Sequence, residues 1–520
     1  MEYKMKSIRV KNFRSFVDTN EISIKPLTVL LGKNSSGKSS FLRLFPLLKQ
    51  SFNERTRGAL SLFGKDVDFG EFKDIKSSFV DEDHIELSFT INFPKIKKRF
   101  FLQTNEEPVE KTDECNVTVK IHEDSQGVLF VSSFTISIVG ATISCDTTVN
   151  NKISRFEVNG YDFANQLTNI VPSYTIRNSF LPSLYDRNNN QQYGFDLISF
   201  YQPAIVEFEK YLSRRVKNRK GKIFQLLVSL PLLSMDKMFV ELKSYNFLGE
   251  IWKRRIQESF DTNYKEYLYS LIILALSPVI IGELQEYLAQ LFHNITYAKP
   301  LRANAERYYR TQSLATNDVA ADGSNLISFL QNLSPGLKKK LDTWTSENFH
   351  FIVDVQRFEG HQSIKIKEAE STSYNITDMG FGYSQILPLI IQLWLIAQNN
   401  LPLNFLRRSR KQCKTFFYAV EQPELHLHPE FQARLLIQML DIIRTAKDNG
   451  IEIKILIETH SETIINYLGK LIAKQRISHN DVNVLIFDKE LNRPTQISQA
   501  NYDNDGVLNN WPFGFFSILD

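Results

Sequence analysis

The residues Gly32-Lys33-Asn34-Ser35-Ser36-Gly37-Lys38-Ser39-Ser40 complete a G-x-x-x-x-G-K-[ST] loop. The chemistry open to this spacing is the holding of phosphate. Gly32 and Gly37 let the backbone wrap closely enough for consecutive N–H groups, those of Asn34, Ser35 and Ser40 included, to face phosphate oxygens. Lys38 then reaches the β and γ phosphates, and the Ser39 hydroxyl completes the shell of a Mg²⁺ ion. ATP and Mg²⁺ are the expected ligands.

Further along, Gly380, Gly382, Ser384 and Gln385 stand just ahead of an apolar helical stretch. Small residues at a helix start expose backbone N–H groups and favour an anion, although a plain helix cap has the same composition. The apolar run Phe416 to Val420 then ends in Glu421, a strand-end carboxylate suited to holding Mg²⁺. Ile453 to Ile457 repeats the pattern and delivers Glu458-Thr459-His460-Ser461, where the His460 imidazole can sense a γ phosphate. His426 and His428 lie beside carboxylates but without a further ligand set, which argues against zinc.

The elements that must position these groups follow from periodicity. Leu27 to Leu31 reads as a strand entering the phosphate loop, and Phe41 to Phe45 as the helix leaving it. Residues 6–31 alternate as two or three strands, and Ser61 to Lys76 reads as a loop. Residues 84–93 and stretches between Asn116 and Ile138 read as an antiparallel sheet. From Leu197 to Phe292 the period becomes helical without sustained heptads, which predicts a compact helical insertion. Composition makes residues 296–330 loops.

At 520 residues, 42% hydrophobic and 23% charged, the chain is an ordinary globular protein of two to four domain-sized units. A net charge of +4 excludes global basicity, so a nucleic-acid surface would have to be local. Two basic runs, Arg214 to Lys222 and Arg407 to Lys411, read either as solvated loops or as surfaces for DNA, RNA or an acidic protein. Cys115, Cys145 and Cys413 have no metal or disulfide spacing and read as reduced thiols, consistent with a cytoplasmic protein. The N-terminus lacks a signal-peptide core, and the apolar run Tyr267 to Ile281 reads as a buried helix ending near Pro278 rather than a membrane span.

In this order the motifs resemble those of ATP-binding-cassette ATPases of the SMC, RecF and OLD kind. Ile8 to Phe16 is similar to the opening of such heads, Gly32 to Ser39 to Walker A, Gly380 to Gln385 to the signature motif, Val420-Glu421 to Walker B, and His460 to the switch histidine. The stretches Glu421 to Pro429, Glu458 to Glu462 and Trp511 to Phe516 resemble a prokaryotic OLD-like group, as do Tyr297 to Arg302 and Asp322 to Leu326. The resemblance implies an α/β fold, an ABC-type (SMC-like) P-loop ATPase head with an antiparallel β lobe and a helical insertion. It divides the chain into 1–95, the N-terminal part of the head; 96–294, the β lobe extension and helical insertion; and 295–520, the C-terminal part of the head. It also implies a nucleotide clamped between Walker A of one copy and the signature loop of another, with Arg14 among the nucleotide-binding residues.

Two positions depart from the pattern. The catalytic glutamate expected after the Walker B acid is Gln422, and an amide cannot act as general base. Either Glu424 takes that role or hydrolysis is slow and ATP is mainly a holding ligand. The signature, Met379 to Gln385, is not L-S-G-G-Q. Residues 462–520 carry one clear strand, Val484 to Asp488, too little for the nuclease domain of OLD nucleases. The resulting expectation is an ATPase that regulates a separate nuclease or toxin, as in the phage-defence systems called PARIS and Septu. A RecF-like ATPase clamping DNA directly is the alternative, and a transporter subunit fits least well.

Overall fold

The computed structural model describes residues 5–53, 58–96, 112–173, 180–187, 197–257, 261–310, 316, 318–368, 372–397 and 413–511. The basic run at 407–411 and the residues after Trp511 lie outside them. Two compact units are present: Met1–Ile22, Gln50–Gly64 and Asp68–His293 form one, and Ser23–Lys49, Lys65–Val67 and Asn294–Asp520 the other.

The N-terminal alternation becomes β1 (Met5–Phe13), β2 (Phe16–Asp18), β3 (Ile22–Ser23) and β4 (Leu27–Gly32), followed by α1 (Lys38–Leu42), α2 (Leu44–Asn53) and the short α3 (Phe72–Ile75) inside the expected loop. The first unit continues with β5 (His84–Pro94), β6 (Thr112–Glu123), β7 (Leu129–Ile138), β8 (Ala141–Thr147), β9 (Ile153–Val158) and β10 (Tyr161–Asp162). These pair antiparallel in the order β10-β9-β8-β7-β6-β5-β1-β2. Alternation has its usual cause: Cys115, Val117, Val119 and Ile121 of β6 point into the core while their neighbours face out. The small pair β11 (Ile170–Ser173) and β12 (Ser183–Asp186) leads to the helical insertion, α4 (Ile198–Glu209), α5 (Arg219–Ser229), α6 (Met235–Lys243), α7 (Glu250–Gln257) and α8 (Thr262–His293).

Helix α8 does not end near Pro278 as the sequence suggested but runs through it for 32 residues. The proline removes one backbone donor, a loss outweighed by burial on both sides: Leu271 to Ala275 and Ile280 are fully buried, and the Ser277 hydroxyl donates to Ile273 O at 2.7 Å. By length and composition this helix could cross a membrane, and most of its apolar window is buried within the protein. All three cysteines are buried thiols outside any disulfide, and burial pushes Cys115 and Cys413 up to about 12.

The second unit is built on a sheet ordered β13 (Ile295–Ala298), β18 (Thr415–Glu421), β19 (Glu452–Glu458), β4, β20 (Val482–Asp488), β21 (Gln496–Tyr502) and β22 (Leu508–Asn509). From β13 to β20 the pairing is parallel; β21 and β22 are antiparallel. Leu27, Val29 and Leu31 of β4, Tyr418 and Val420 of β18, and Val484 and Ile486 of β20 join one core with helices α12 (Pro429–Asp448) and α13 (Glu462–Ala473). The intervening residues face the other way, where Phe487 meets Phe41 and Phe417 meets Phe45. Burial on both faces is why these strands read as unbroken apolar runs.

Between β13 and β18 lie β14 (Tyr309–Arg310), α9 (Leu326–Asn332), α10 (Pro335–Phe349), the hairpin β15 (Phe351–Phe358) and β16 (His361–Glu368), β17 (Tyr374–Asn375) and α11 (Phe381–Ala397). Residues 296–330 are thus not all loop. β13 is made by its partner: Thr296 and Tyr297 pair with Tyr418 and Ala419, a contact that local composition does not reveal. The fold is of the expected class, α/β with a P-loop head, an antiparallel lobe and a helical insertion.

Gly506 and Gly140 have nearly the same φ, 75° and 76°, but different surroundings. A Cβ on Gly506 would lie 2.0 Å from Gly469 O, whereas one on Gly140 meets nothing within 4 Å. Gly140→Ala should cost about 1–2 kcal/mol from the left-handed backbone alone. Gly506→Ala should cost clearly more, about 3 kcal/mol or above, through the added clash with helix α13. Urea unfolding of both variants checks this; equal losses would refute the clash.

Candidate functional site

Strand β4, buried at every residue, carries Gly32 into the middle of the parallel sheet. Only glycine fits there, since a Cβ would sit 2.4 Å from Phe487 O and 2.6 Å from Ser36 Oγ. Ser35 and Gly37 take positive φ values of 62° and 100° and turn the loop onto α1. Thr495 Oγ1 pins the loop by donating to Ser36 O at 2.9 Å. Asn34 and Ser35 are exposed at its tip, and Ser39 and Ser40 are half-buried. Lys38 is 3% exposed, and its Nζ donates to Gly32 O and Lys33 O at 3.0 and 2.8 Å. Burial lowers its pKa.

Two carboxylates meet at the ends of neighbouring strands. Glu421 ends β18, Glu458 ends β19, and they are register partners, 2% and 3% exposed. Arg43, one residue beyond α1, donates to Glu421 Oε1 through Nε and to Oε2 through Nη2, both at 2.7 Å. Tyr297 of β13 adds a hydrogen bond to Oε1 at 2.6 Å. Ser39 Oγ donates to Glu458 Oε1 at 2.8 Å, and Glu458 Oε2 is buried with no hydrogen-bond partner among the described residues.

Beyond the strand ends, Gln422 adopts φ 43° and its N–H donates to Glu458 O at 2.8 Å. Glu424 Oε1 accepts the His460 N–H at 2.7 Å, while its Oε2 is buried and unpaired among the described residues. Burial raises the Glu424 pKa; burial and then the Lys38 charge lower that of His460. Glu424 therefore leans toward the protonated acid and His460 toward neutral imidazole. His428 caps α12 and His426 packs edge-on against Phe381; neither belongs to a three-ligand cluster among the described residues.

The signature segment enters α11. Gly380 has φ 87° and open space around it, and a Cβ on Gly382 would lie 3.0 Å from His426 O. Ser384 Oγ donates to Phe381 O, and the buried Gln385 amide makes reciprocal hydrogen bonds with the backbone N–H and carbonyl of Arg302. Arg302 Nη2 in turn donates to Glu421 O at 3.0 Å, so α11 and β18 are tied within one unit. Arg14 belongs to the other unit, where it donates to Phe69 O and lies 5.3 Å above that ring.

A glycine-walled loop, a buried lysine beside it, and two buried carboxylates beside its serine are the parts of a nucleotide site. A family model described as AAA ATPase domain matches residues 4–465. The chain belongs to that family. No curated protein matches it. Among solved structures it is similar to an Smc head bound to the C-winged helix domain of ScpA, with 9% identity, 96% of this chain and 97% of that chain covered, and a TM-score of 0.33. It is likewise similar to the SMC head domain from Thermotoga maritima, with 10% identity, coverages of 96% and 99%, and a TM-score of 0.34.

As an AAA ATPase the chain binds ATP, and the residues present fit a nucleotide with its divalent cation: the Gly32 cradle admits no side chain, and Glu458 Oε2 is an orphaned buried acceptor. Sequence reading missed Glu458, Arg43 and Arg302 as site residues. Glu458 carried a readable signal, an acid closing an apolar strand just as Glu421 does. Arg43 carried none, and Arg302 only its place in the stretch Tyr297 to Arg302, because their partners are 378 and 119 residues away.

Burial, and then the charge of Glu421, push the Glu458 carboxyl up to about 7 from an ordinary 4.5. A folded value above the unfolded one means that this group's stabilisation is complete below about pH 4.5 and is lost as pH rises through 7, about 3 kcal/mol in all. Glu458→Gln stays neutral throughout. In nucleotide-free protein its melting temperature should therefore fall less than wild type between pH 4.5 and 7.5, and parallel curves would refute the raised value.

Proposed function

We propose that this AAA ATPase dimerises on ATP and acts as a sensor and scaffold that regulates a separate effector, a nuclease or toxin, in bacterial anti-phage defence. The observation that carries this reading is Gln422 at the end of β18, where a general base is expected. Its amide takes no proton, and the adjacent Glu421 already accepts three hydrogen bonds. A site that binds well and hydrolyses slowly suits a ligand that holds an assembly together. The defence setting rests on the resemblance to OLD-like heads, and a cytoplasmic location on the three cysteines without disulfide spacing.

In this reading Lys38 turns from the carbonyls of Gly32 and Lys33 to the phosphates, and the N–H groups of residues 34–40 surround them. Mg²⁺, when bound, neutralises phosphate charge and polarises the terminal phosphoryl group; Ser39 and a strand-end carboxylate would hold it. Gly380 and Gly382 of one copy meet the nucleotide of the other, while Ser384 and Gln385, buried and hydrogen-bonded within their own unit, hold that segment in place. Glu424, with one oxygen on the His460 N–H and the other unpaired, is the group available to orient water, and His460 monitors the γ phosphate.

Direct action on DNA is the second reading, favoured by the exposure of Arg214, Arg215, Lys217 and Lys220. Arg219 of the same run is engaged with Glu209, so its loss would disturb α4 and α5 as well as any DNA contact. Neutralising Arg214, Arg215 and Lys217 should leave effector regulation intact; a large loss of DNA affinity with a reduced salt slope would instead favour the clamp.

Lys38→Ala should abolish both ATP binding and ATP-dependent assembly, read by equilibrium binding and light scattering; wild-type assembly in that variant would sink the proposal. Glu424→Gln should lower kcat by about 100-fold or more with ATP affinity retained if Glu424 is the base. An unchanged kcat would remove Glu424 from that role.

A further inference from the structure

We propose that Glu458, rather than the Walker B acid Glu421, is the carboxylate through which this site holds its divalent cation, together with the Ser39 hydroxyl. The inference rests on the nucleotide-binding reading above and assigns the metal ligand within it.

Three observations point the same way. The first is occupancy. Glu421 Oε1 accepts from Arg43 Nε and from Tyr297 OH, and Oε2 accepts from Arg43 Nη2. These take three of the four carboxylate lone pairs, and the one left on Oε2 lies beside the guanidinium charge, which repels a dication. The second is availability. Glu458 is 3% exposed, accepts a hydrogen bond from Ser39 Oγ at Oε1, and keeps Oε2 buried without a hydrogen-bond partner among the described residues. An oxygen in that state is costly unless something meets it, and a hard divalent cation takes carboxylate and hydroxyl oxygens together. The third is position. Glu458 stands opposite Leu30 on the strand next to β4, while β18 is one strand further from the phosphate loop. Ser39 is already bonded to Glu458, so one cation meets both oxygens with little rearrangement.

The test uses the full chain and Mn²⁺ as the probe. ADP affinity is measured first without metal for wild type, Lys38→Ala, Glu458→Gln and Glu421→Gln, and free Mn²⁺ is then followed by electron paramagnetic resonance as it is titrated into each ADP complex. Glu458→Gln should weaken Mn²⁺ binding at least tenfold with metal-free ADP affinity intact, while Glu421→Gln binds Mn²⁺ within about threefold of wild type. Loss of Mn²⁺ in Glu421→Gln, equal losses in both, or an unaltered Glu458→Gln would overturn the assignment. Should Glu421→Gln fail to fold because Arg43 is left without its partner, Arg43→Met with Glu421→Gln removes both charges and is read by the same criterion. Unchanged ADP affinity in Lys38→Ala would instead overturn the nucleotide reading on which the assignment depends.

Discussion

The second unit is arranged around a repulsion. Parallel pairing brings the Glu421 and Glu458 backbones to neighbouring strand ends, a spacing of about 5 Å. Burial and the charge of its neighbour hold the Glu458 carboxyl up at about 7, so the two acids resist ionising together. The surroundings answer this unequally. Glu421 receives a guanidinium and a phenol, whereas Glu458 receives a single hydroxyl. Placing Arg43 requires the helical turn of α1 right after the phosphate loop, and placing Tyr297 requires β13 to pair with β18 in its observed register. Much of the local architecture follows from compensating one acid fully while leaving its neighbour under-compensated.

The same strand end is mechanically connected to the signature helix. Gln385 clamps both backbone polar groups of Arg302, and Arg302 reaches the Glu421 carbonyl while its Nε and Nη1 remain buried without partners among the described residues. Burial depresses even this guanidinium, to about 10. An under-satisfied buried cation is a sensitive joint, since any shift of α11 changes how its remaining donors are met. Gly382 packs on the His426 carbonyl, so a larger residue there would lever the helix from the loop that follows Glu421.

The local parts of this site were legible in the sequence, and the non-local parts were not. The phosphate loop, the strand-end acids and the helical insertion announce themselves because each is a contiguous pattern whose cause lies within a few residues. Strand β13 and the passage of α8 through Pro278 do not, because each is decided by partners distant in sequence: β18 in one case, the apolar neighbours packed around the helix in the other. The roles of Arg43 and Arg302 fall in the second group. From sequence they are two cations among 62, and only the fold shows which carboxylate and which carbonyl they meet.

The amide at Gln422 bears on what ATP does as well as how fast it is consumed. A ligand shifts an equilibrium only by its differential affinity for the two states, and at 100 times its dissociation constant it stabilises the state that binds it by about 2.7 kcal/mol. Rapid hydrolysis would make that stabilisation transient; slow hydrolysis would let it persist for the residence time of the nucleotide. A carboxylate left under-compensated until a dication arrives strengthens the same logic. On the proposed assignment a metal-nucleotide complex would satisfy Lys38, Ser39 and Glu458 at once, where Glu458 Oε2 is otherwise buried without a hydrogen-bond partner among the described residues. If ATP drives assembly as proposed, the free energy for it would come from groups that the fold keeps incompletely paired in the absence of ligand.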